Sequence, residues 1–270
     1  MVAAALTGSL CGLSGLLITR LGLTTICFTI AHAALAGATL GLVLSIEPIA
    51  VALVFAIVIA ALLSVLMTML RVPVDLISMS FFSLYTALAL LFIYLTPGTA
   101  MATQVLSTVL WGSVLAMTYE YITYIAILLI AYITYLVLYM DRVLMVLFDL
   151  KLAEAEGLDT RSVLMTLLLL SSFVISVSLK LTGGFLVFTI FYGPALATLN
   201  LNVRSVRKML ATSPLIGAMC SIAGVIVSYV LDLPVGCCIV LSMCTVVAAT
   251  SLRRLIEVVR KAAPMITRFR

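Results

Sequence analysis

The chain has 270 residues, of which 65% are hydrophobic and only 9% are charged, and its mean hydropathy is +1.36. Soluble domains carry about 25% charged residues, so this composition excludes a large soluble domain and indicates a polytopic membrane protein. The net charge of +5 does not indicate a nucleic-acid partner, because the basic residues are spread between apolar runs and form no patch. The sequence contains no GxxxxGK[ST], CxxC or HExxH motif, so the chain has no recognisable ATPase or metalloprotease site.

Apolar runs of sufficient length predict an all-α fold with about nine transmembrane helices, within a range of eight to ten. Their approximate limits are 2–19, 26–46, 49–70, 76–95, 119–140, 162–179, 182–200, 213–231 and 236–252. The segment 104–118, which contains Trp111 and Gly112, is too short and too interrupted to cross, and we expect it to be re-entrant or interfacial. We therefore predict a transmembrane domain over 1–252 and a basic cytoplasmic tail over 253–270.

The basic residues predict the orientation of the chain. With the amino terminus outside and the carboxyl terminus in the cytoplasm, all of the 15 Lys and Arg residues except Lys180 fall on the cytoplasmic side, in accord with the positive-inside rule. The same orientation puts Glu47, Glu120 and Asp232 at the outer ends of spans. These acids could form an outer mouth that attracts cations, although ordinary helix-end acids would give the same pattern. We expect a multi-pass protein of the cell membrane.

Two runs of small residues indicate close helix packing. Gly8 and Gly12 share one face of the first predicted span, and Ala33, Gly37 and Gly41 share one face of the second. Such spacing lets the backbones of membrane helices approach each other.

The predicted span 182–200 has an unusual sequence. Gly183 and Gly184 open it, and Gly193-Pro194 is expected to interrupt it. Irregular backbone at membrane depth survives only where protein or a watery cavity covers it, so these four residues are a candidate wall of a transport pathway. A simple proline kink is an equally good interpretation.

The only histidine, His32, lies inside the second predicted span. An ionisable residue within a span is a functional candidate, and neutral imidazole is a common ligand for transition metals. One histidine cannot hold a metal alone, so the other ligands would come from other spans, carbonyl groups or a second subunit. The alternative is a packing histidine. The cysteines lack metal-ligand spacing, and only the vicinal pair Cys237-Cys238 leaves a redox role open.

The stretch 141–161 is the most polar internal segment. Its pattern predicts a short amphipathic helix in which Phe148, Leu152 and Ala155 share a face, Asp149 caps the start and Gly157 follows as a stop. A polar segment between spans is usually a solvated connector, but the apolar stripe favours a docking helix here.

Five segments, in order along the chain, resemble motifs of the zinc/manganese-type metal-uptake ABC transporter permeases. Residues 148–158, FDLKLAEAEGL, are similar to the coupling-loop pattern FDpxxAxxxGl of that family. Residues 31–37, AHAALAG, are similar to AHAxLpG, and residues 110–115, LWGSVL, to LFGxiL. GGFLV at 183–187, followed by GPALA at 193–197, resembles vGalLv and PAatA, and LDLPVG at 231–236 resembles dlPsGp.

The resemblance implies the transmembrane half of an importer for divalent metal ions, Zn²⁺ or Mn²⁺ in the first instance. It implies three partners: a cytoplasmic ATPase that binds the ATP, an extracytoplasmic metal-binding protein, and a second permease subunit in a dimer that we expect to be homomeric. The chain itself would bind no resident cofactor and would not be an enzyme. His32 would lie on the metal pathway. The residues implied to contact the ATPase are Phe148, Asp149, Ala153, Glu154 and Gly157.

One departure from the family pattern concerns the metal. Members of the family carry an acid one helical turn before the histidine, where both side chains could face one ion, but this chain has Phe28 there. The loss of a hard anionic ligand leaves the transported metal open. The alternatives are a permease for iron chelates or corrinoids, which would be longer, and a gradient-driven secondary transporter, which would bury more paired charges. An intramembrane enzyme is the weakest alternative, because one histidine without a nucleophile makes a poor catalytic site.

Overall fold

The computed structural model describes residues 1–69, 73–96, 112, 118–184, 187–203 and 205–266. Every regular element within these ranges is a helix, as predicted. In chain order the helices are α1 (Val2–Arg20), α2 (Thr24–Leu44), α3 (Pro48–Met69), α4 (Val74–Leu95), α5 (Tyr119–Leu138), α6 (Met140–Phe148), α7 (Leu150–Ala155), α8 (Thr160–Thr182), α9 (Val187–Asn200), α10 (Val206–Leu231) and α11 (Val235–Ile266).

Among the described residues, 8 helices are long and apolar enough to cross a membrane, namely α1 to α5, α8, α10 and α11. This number lies within the predicted range and confirms a polytopic membrane protein. The predicted span 182–200 is instead α9, which has 14 residues. At about 1.5 Å per residue, α9 is about 21 Å long and thus shorter than the hydrocarbon core of a bilayer, which is about 30 Å thick.

The break before α9 lies at a glycine. Gly183 ends α8 with a φ of +77°, a conformation that glycine adopts without a steric penalty. The expected interruption at Gly193-Pro194 is wrong, because α9 continues through Pro194. Proline is tolerated inside membrane helices when neighbouring helices cover the freed backbone groups, and Pro194 is buried among them. At the other end of the chain, α11 runs past the predicted domain boundary at residue 252.

Helix α1 approaches α10 at backbone distance through the small residues predicted for this purpose. A Cβ atom added to Gly217 would collide with the carbonyl oxygen of Gly8. One turn further, a Cβ atom on Gly12 would lie 2.6 Å from the carbonyl oxygen of Ser213, and the Ser213 hydroxyl donates a 2.7 Å hydrogen bond to the Gly12 carbonyl. The glycines therefore allow contact and the serine fixes its register.

The second predicted run packs α2 against α3. A Cβ atom on Gly37 would come within 2.6 Å of the Val51 carbonyl oxygen, and one on Gly41 within 2.8 Å of the Pro48 Cα atom. The interpretation of both small-residue runs as packing surfaces is confirmed.

Buried hydroxyl groups connect α1 with α5 and α8. The hydroxyls of Ser14 and Ser171 are 2.8 Å apart, and the Tyr132 hydroxyl donates to Ser14 at 3.4 Å. On the same face of α1, Cys11 Sγ lies 3.1 Å from the Ser178 hydroxyl. All six cysteines are free, including the vicinal pair. Since hydrogen-bonded polar groups cost little to bury, this cluster adds specificity to an otherwise apolar interior.

The helix ends form two faces, and arginines gather at one of them. Because α1 runs antiparallel to α10, Arg20 lies at the same end as Arg207, whose guanidinium is 3.8 Å from the carboxylate of Asp141. Arg254 joins this end by donating to the Asn200 side chain at 3.3 Å. We call this end the loop face, since it carries α6 and α7.

The opposite end, the acid face, carries the three predicted mouth residues. Glu47 precedes α3, Glu120 lies in the first turn of α5, and Asp232 caps α10 in a left-handed conformation with a φ of +55°. All three are exposed. The arginines of the loop face thus lie opposite these three acids, as the sequence predicts, while the loop face also carries acids of its own, such as Asp141 and Asp149.

The contact between α1 and α10 leads to a stability prediction. We expect Gly217→Ala to lower the free energy of unfolding by about 1–3 kcal/mol, because the added methyl group has no space against the Gly8 carbonyl. Thermal unfolding of the purified protein in detergent measures the change. Ala223→Leu, at an exposed position of the same helix, is the control and should leave the midpoint nearly unchanged. Equal midpoints for Gly217→Ala and the unmutated protein would contradict the packing account.

Candidate functional site

His32 lies in the interior among aromatic side chains. It is 6% exposed. Its ring meets Phe82 of α4 edge to face, with centroids 4.3 Å apart, and stacks at 5.8 Å on Phe188 of α9. Three helices therefore hold the imidazole, which favours a single orientation of the ring.

A hydrogen bond from α4 determines which imidazole nitrogen is free. The Thr86 hydroxyl donates to the Phe82 carbonyl at 2.7 Å and lies 2.9 Å from Nδ1 of His32. Because its hydrogen is used in the first bond, the hydroxyl is best placed to accept from Nδ1–H. A neutral imidazole in this tautomer keeps its lone pair on Nε2, the form in which histidine binds a metal.

Phe28 occupies the place of the family acid, one turn before His32. Its ring packs on Phe188 at 4.4 Å and on Tyr192 at 5.5 Å. The Tyr192 hydroxyl donates to the Thr24 carbonyl at 2.7 Å, which fixes α9 against the start of α2. The position therefore supports packing between these two helices and offers no oxygen ligand.

The surroundings of His32 supply few ligands for a metal. Among the described residues, no group of three or more His, Cys, Asp and Glu side chains lies close enough to hold an ion. The acid on α4 at the same end of the fold, Asp75, accepts a 2.6 Å hydrogen bond from Thr25, nearly two turns before His32. Any ion at His32 would thus need ligands from outside this set.

The four predicted pathway-wall residues are buried in helix contacts. Gly184 faces Leu35 of α2, close to His32 in sequence, and a Cβ atom there would lie 2.9 Å from Leu35 Cδ1. Gly193 faces Met243 of α11, and Pro194 lies where α1, α9 and α10 meet, next to Gly12. Of these contacts, the one between Gly184 and Leu35 is with the helix that carries His32.

Most of the predicted re-entrant segment 104–118 lies outside the described residues, including Trp111. Gly112 is described and has a φ of +75°. A Cβ atom on Gly112 would collide with the Leu181 carbonyl, so this glycine lies directly against the end of α8 at the acid face.

The predicted docking helix is two helices, α6 and α7, that meet at Asp149. This residue has an extended conformation, with a φ of −156°, and its carboxylate accepts from the backbone amides of Lys151 and Leu152 at 2.8 and 3.1 Å. The predicted cap is confirmed, but it ends one helix and begins another. As a result Phe148, Leu152 and Ala155 do not share one helical face, as the single-helix prediction required.

The segment after α7 is fixed by backbone and side-chain bonds. Gly157 has a φ of +79°, and the amide of Leu158 donates back to the Ala153 carbonyl at 3.0 Å, which confirms the predicted stop. The Thr160 hydroxyl donates to Glu154 at 3.0 Å, and the Asp159 carboxylate caps α8 through the Ser162 amide at 3.1 Å.

Helices α6 and α7 expose apolar side chains beside their charged ones. Phe148 is 83% exposed and Leu152 is 50% exposed, whereas Ala153 is 1% exposed and anchors α7 to the body of the protein. Leu144, Met145, Phe148, Leu152 and Ala153 line a shallow cavity of about 210 Å³. An exposed aromatic side chain beside an apolar groove is typical of a protein-binding surface.

Sequence reasoning missed the side chains that surround His32. Phe82, Thr86 and Phe188 belong to α4 and α9, which are far from α2 in the sequence. Phe82 and Thr86 are four residues apart and therefore share a helix face, but nothing in the sequence indicates that this face meets the histidine.

Solved structures with the same fold have been described. The chain is similar to PsaBC from Streptococcus pneumoniae in complex with Fab, with a TM-score of 0.79, 24% identity, and coverage of 92% of this chain and 88% of that one. It is also similar to an inward-facing conformation of a putative metal-chelate type ABC transporter, with a TM-score of 0.78, 17% identity, and coverage of 93% and 84%. These likenesses confirm the fold.

The chain is also similar in sequence to named permeases. The chain is 26% identical to the manganese import system permease protein ScaB of Streptococcus parasanguinis, over 90% of this chain and 85% of that protein. It is 24% identical to the high-affinity zinc uptake system membrane protein ZnuB of Haemophilus influenzae, over 77% of this chain and 78% of that protein. The model of the ABC 3 transport family matches residues 1–254, which is nearly the whole chain, and the protein therefore belongs to the ABC 3 transport family.

Proposed function

We propose that this chain is the membrane-spanning permease subunit of an ATP-driven importer for a divalent metal ion, with zinc and manganese as the candidates. We call α6, α7 and the connection to α8, residues 140–159, the docking loop. The observation that carries the proposal is that this loop is held by its own hydrogen bonds and exposes Phe148, in a member of the ABC 3 transport family. Relatives named as manganese and zinc permeases support the nature of the cargo.

The proposal assigns the two faces to the two sides of the cell membrane. The loop face, with its arginines, lies in the cytoplasm and binds a separate ATPase subunit, which binds and hydrolyses the ATP. The acid face and the amino terminus lie outside, where an extracytoplasmic metal-binding protein delivers the ion. A second copy of the permease completes the pathway, because the described residues of one chain offer too few ligands around His32.

The docking loop acts as a lever between the ATPase and the spans. Asp149 and Gly157 fix the two ends of α7, and the bond between Thr160 and Glu154 ties α7 to the start of α8. A movement of the ATPase against Phe148 is therefore passed to α8 rather than lost in a flexible connector. Such a contiguous element with two positions is what coupling between distant sites requires.

Within the spans, Nε2 of His32 is the proposed contact for the passing ion. Imidazole suits zinc and other late transition metals, whereas manganese prefers carboxylate, carbonyl and water oxygens. Phe28 stands where family members carry a carboxylate, which would favour manganese. Zinc is therefore the better match of the two metals. A gradient-driven transporter is less well supported, because the two ion pairs among the described residues, Arg207–Asp141 and Arg253–Glu257, have exposed side chains.

The docking assignment predicts that Phe148→Ala lowers metal-stimulated ATP hydrolysis and metal uptake together by at least about tenfold, since central aromatic contacts contribute about 2 kcal/mol or more to protein interfaces. The protein should still fold, because Phe148 is 83% exposed. The measurement is ATP-dependent ⁶⁵Zn²⁺ uptake in vesicles that contain the permease and its ATPase, with the metal-binding protein added outside. The control is Tyr124→Ala within α5, 59% exposed, which should retain coupling. Full coupled uptake by the Phe148 variant would refute the docking role.

Because the Thr86 hydroxyl orients the imidazole of His32, we expect Thr86→Val to weaken zinc binding by about 10- to 100-fold, the usual cost of losing a bond that orients a metal-bound histidine. Thr86→Ser keeps the hydroxyl and should retain binding, while His32→Gln should lose it. Calorimetric titration of the purified protein with zinc distinguishes these variants. If Thr86→Val and the unmutated protein bind zinc equally, Thr86 does not position the imidazole.

The aromatic substitution at position 28 predicts a change in selectivity. Phe28→Asp places a carboxylate one turn from His32 and should shift competition between Mn²⁺ and Zn²⁺ toward manganese by at least about tenfold. Uptake of radioactive manganese in the presence of increasing zinc measures the shift. Phe28→Leu, which removes the ring without adding a ligand, is the control. An unchanged ratio in the Asp variant would show that this position does not face the ion.

A further inference from the structure

A second cavity, outside the docking surface and the histidine site, lies at the loop face. It has a volume of about 380 Å³ and is enclosed by the end of α5, the start of α6 and the start of α8. Unlike the groove beside Phe148 it has a lining that mixes polar and apolar groups, and its lining residues are Tyr135, Tyr139, Arg142, Asp159, Ser162, Val163 and Thr166. Nothing in the proposed transport mechanism uses this cavity.

The cavity is lined by one cationic side chain, Arg142, and one anionic side chain, Asp159, which form no ion pair with each other. Among the described residues, no carboxylate lies within 4.0 Å of the Arg142 guanidinium, which instead lies over the ring of Tyr139 at 5.5 Å from its centroid. Asp159 accepts the Ser162 amide through Oδ1, a bond that leaves Oδ2 available. The pair therefore offers separated positive and negative groups, which together are electrically neutral.

The cavity lies at the end of a membrane-spanning helix, α5. Leu138, three residues after Tyr135 and therefore on a neighbouring part of the helix surface, is 71% exposed, so apolar surface adjoins the cavity. Tyrosine and arginine side chains at the end of a span are typical of the membrane interface. Acyl chains could lie along α5 while the headgroup enters between α5 and α8.

We propose that this cavity binds the headgroup of an ethanolamine phospholipid. Arg142 and the Ser162 hydroxyl hold the phosphate, which also lies near the positive end of the α8 dipole. Asp159 accepts a hydrogen bond from the primary ammonium group. A choline headgroup has a quaternary nitrogen without N–H groups and cannot make that bond, and a glycerol headgroup leaves the carboxylate without a cation.

The bound lipid would brace the docking loop. Arg142 belongs to the helix that enters the loop and Ser162 to the helix that leaves it, so one phosphate between them would hold both ends of the lever. The site itself requires only that the chain is embedded in a membrane, and it stands whether or not the transported ion is zinc.

The test is retention of lipid by the full-length protein. The protein is purified in detergent, incubated with equal amounts of dioleoyl phosphatidylethanolamine, phosphatidylcholine or phosphatidylglycerol, and examined by native mass spectrometry. We expect phosphatidylethanolamine to be retained about tenfold more strongly than the other two, as one additional charge-assisted hydrogen bond implies. Equal retention of the ethanolamine and choline lipids would overturn the proposal.

Two variants separate the two halves of the site. Arg142→Gln should lower retention of both the ethanolamine and the choline lipid, whereas Asp159→Asn, which preserves the helix cap, should abolish only the preference between them. Arg161→Gln does not alter a lining residue and should change neither. Thermal unfolding checks that each variant is folded, and a folded Arg142→Gln protein with full retention would overturn the phosphate assignment.

A competition experiment distinguishes binding of a membrane lipid from binding of a soluble phosphate ester. Soluble glycerophosphoethanolamine has the same headgroup without acyl chains. When glycerophosphoethanolamine is added at the same concentration as the lipid, it should not displace bound phosphatidylethanolamine. Efficient displacement would overturn the assignment to a membrane lipid.

Discussion

The close approach of α1 to its neighbours is the contact on which the rest of the structure depends. Gly8 and Gly12 bring its backbone against α10, and Gly15 does the same with α9, where a Cβ atom would collide with the Phe191 carbonyl. Apolar side chains gain little by leaving lipid, so van der Waals contact and hydrogen bonds must hold membrane helices together. The hydroxyls of Ser14 and Ser213 provide such bonds. With α1 fixed, α9 is held with Phe188 against His32.

The docking loop depends on a different constraint, which is that each short helix must satisfy its own ends. The Asp149 carboxylate accepts hydrogen bonds from the first amides of α7, and the Asp159 carboxylate accepts one from an amide of α8. The loop therefore keeps its shape without burying its apolar side chains. Phe148 remains exposed in this frame. The proposed contact with a separate ATPase needs this combination of a fixed backbone and an exposed aromatic side chain.

Much of the fold could be predicted from the sequence, because apolar run length, charge distribution and glycine spacing are local properties. The spans, the separation of Arg20 and Arg207 from Asp232 and the packing role of Gly8 were accessible in this way. The short helix α9 was not, since its start depends on the left-handed backbone at Gly183 and Pro194 remains inside the helix. The surroundings of His32 were also inaccessible, because they arise from contacts between α2, α4 and α9 that leave no mark on the sequence of any one of them.

The central claim is that this member of the ABC 3 transport family moves a divalent metal ion at the expense of ATP hydrolysed by a partner subunit. The most direct measurement is ⁶⁵Zn²⁺ uptake into sealed vesicles that contain the permease and the ATPase, with the metal-binding protein outside, with and without ATP, and in the absence of any ion gradient. We predict uptake that requires both ATP and the ATPase subunit. Uptake driven by an imposed proton or sodium gradient, without ATP or the ATPase, would contradict the account.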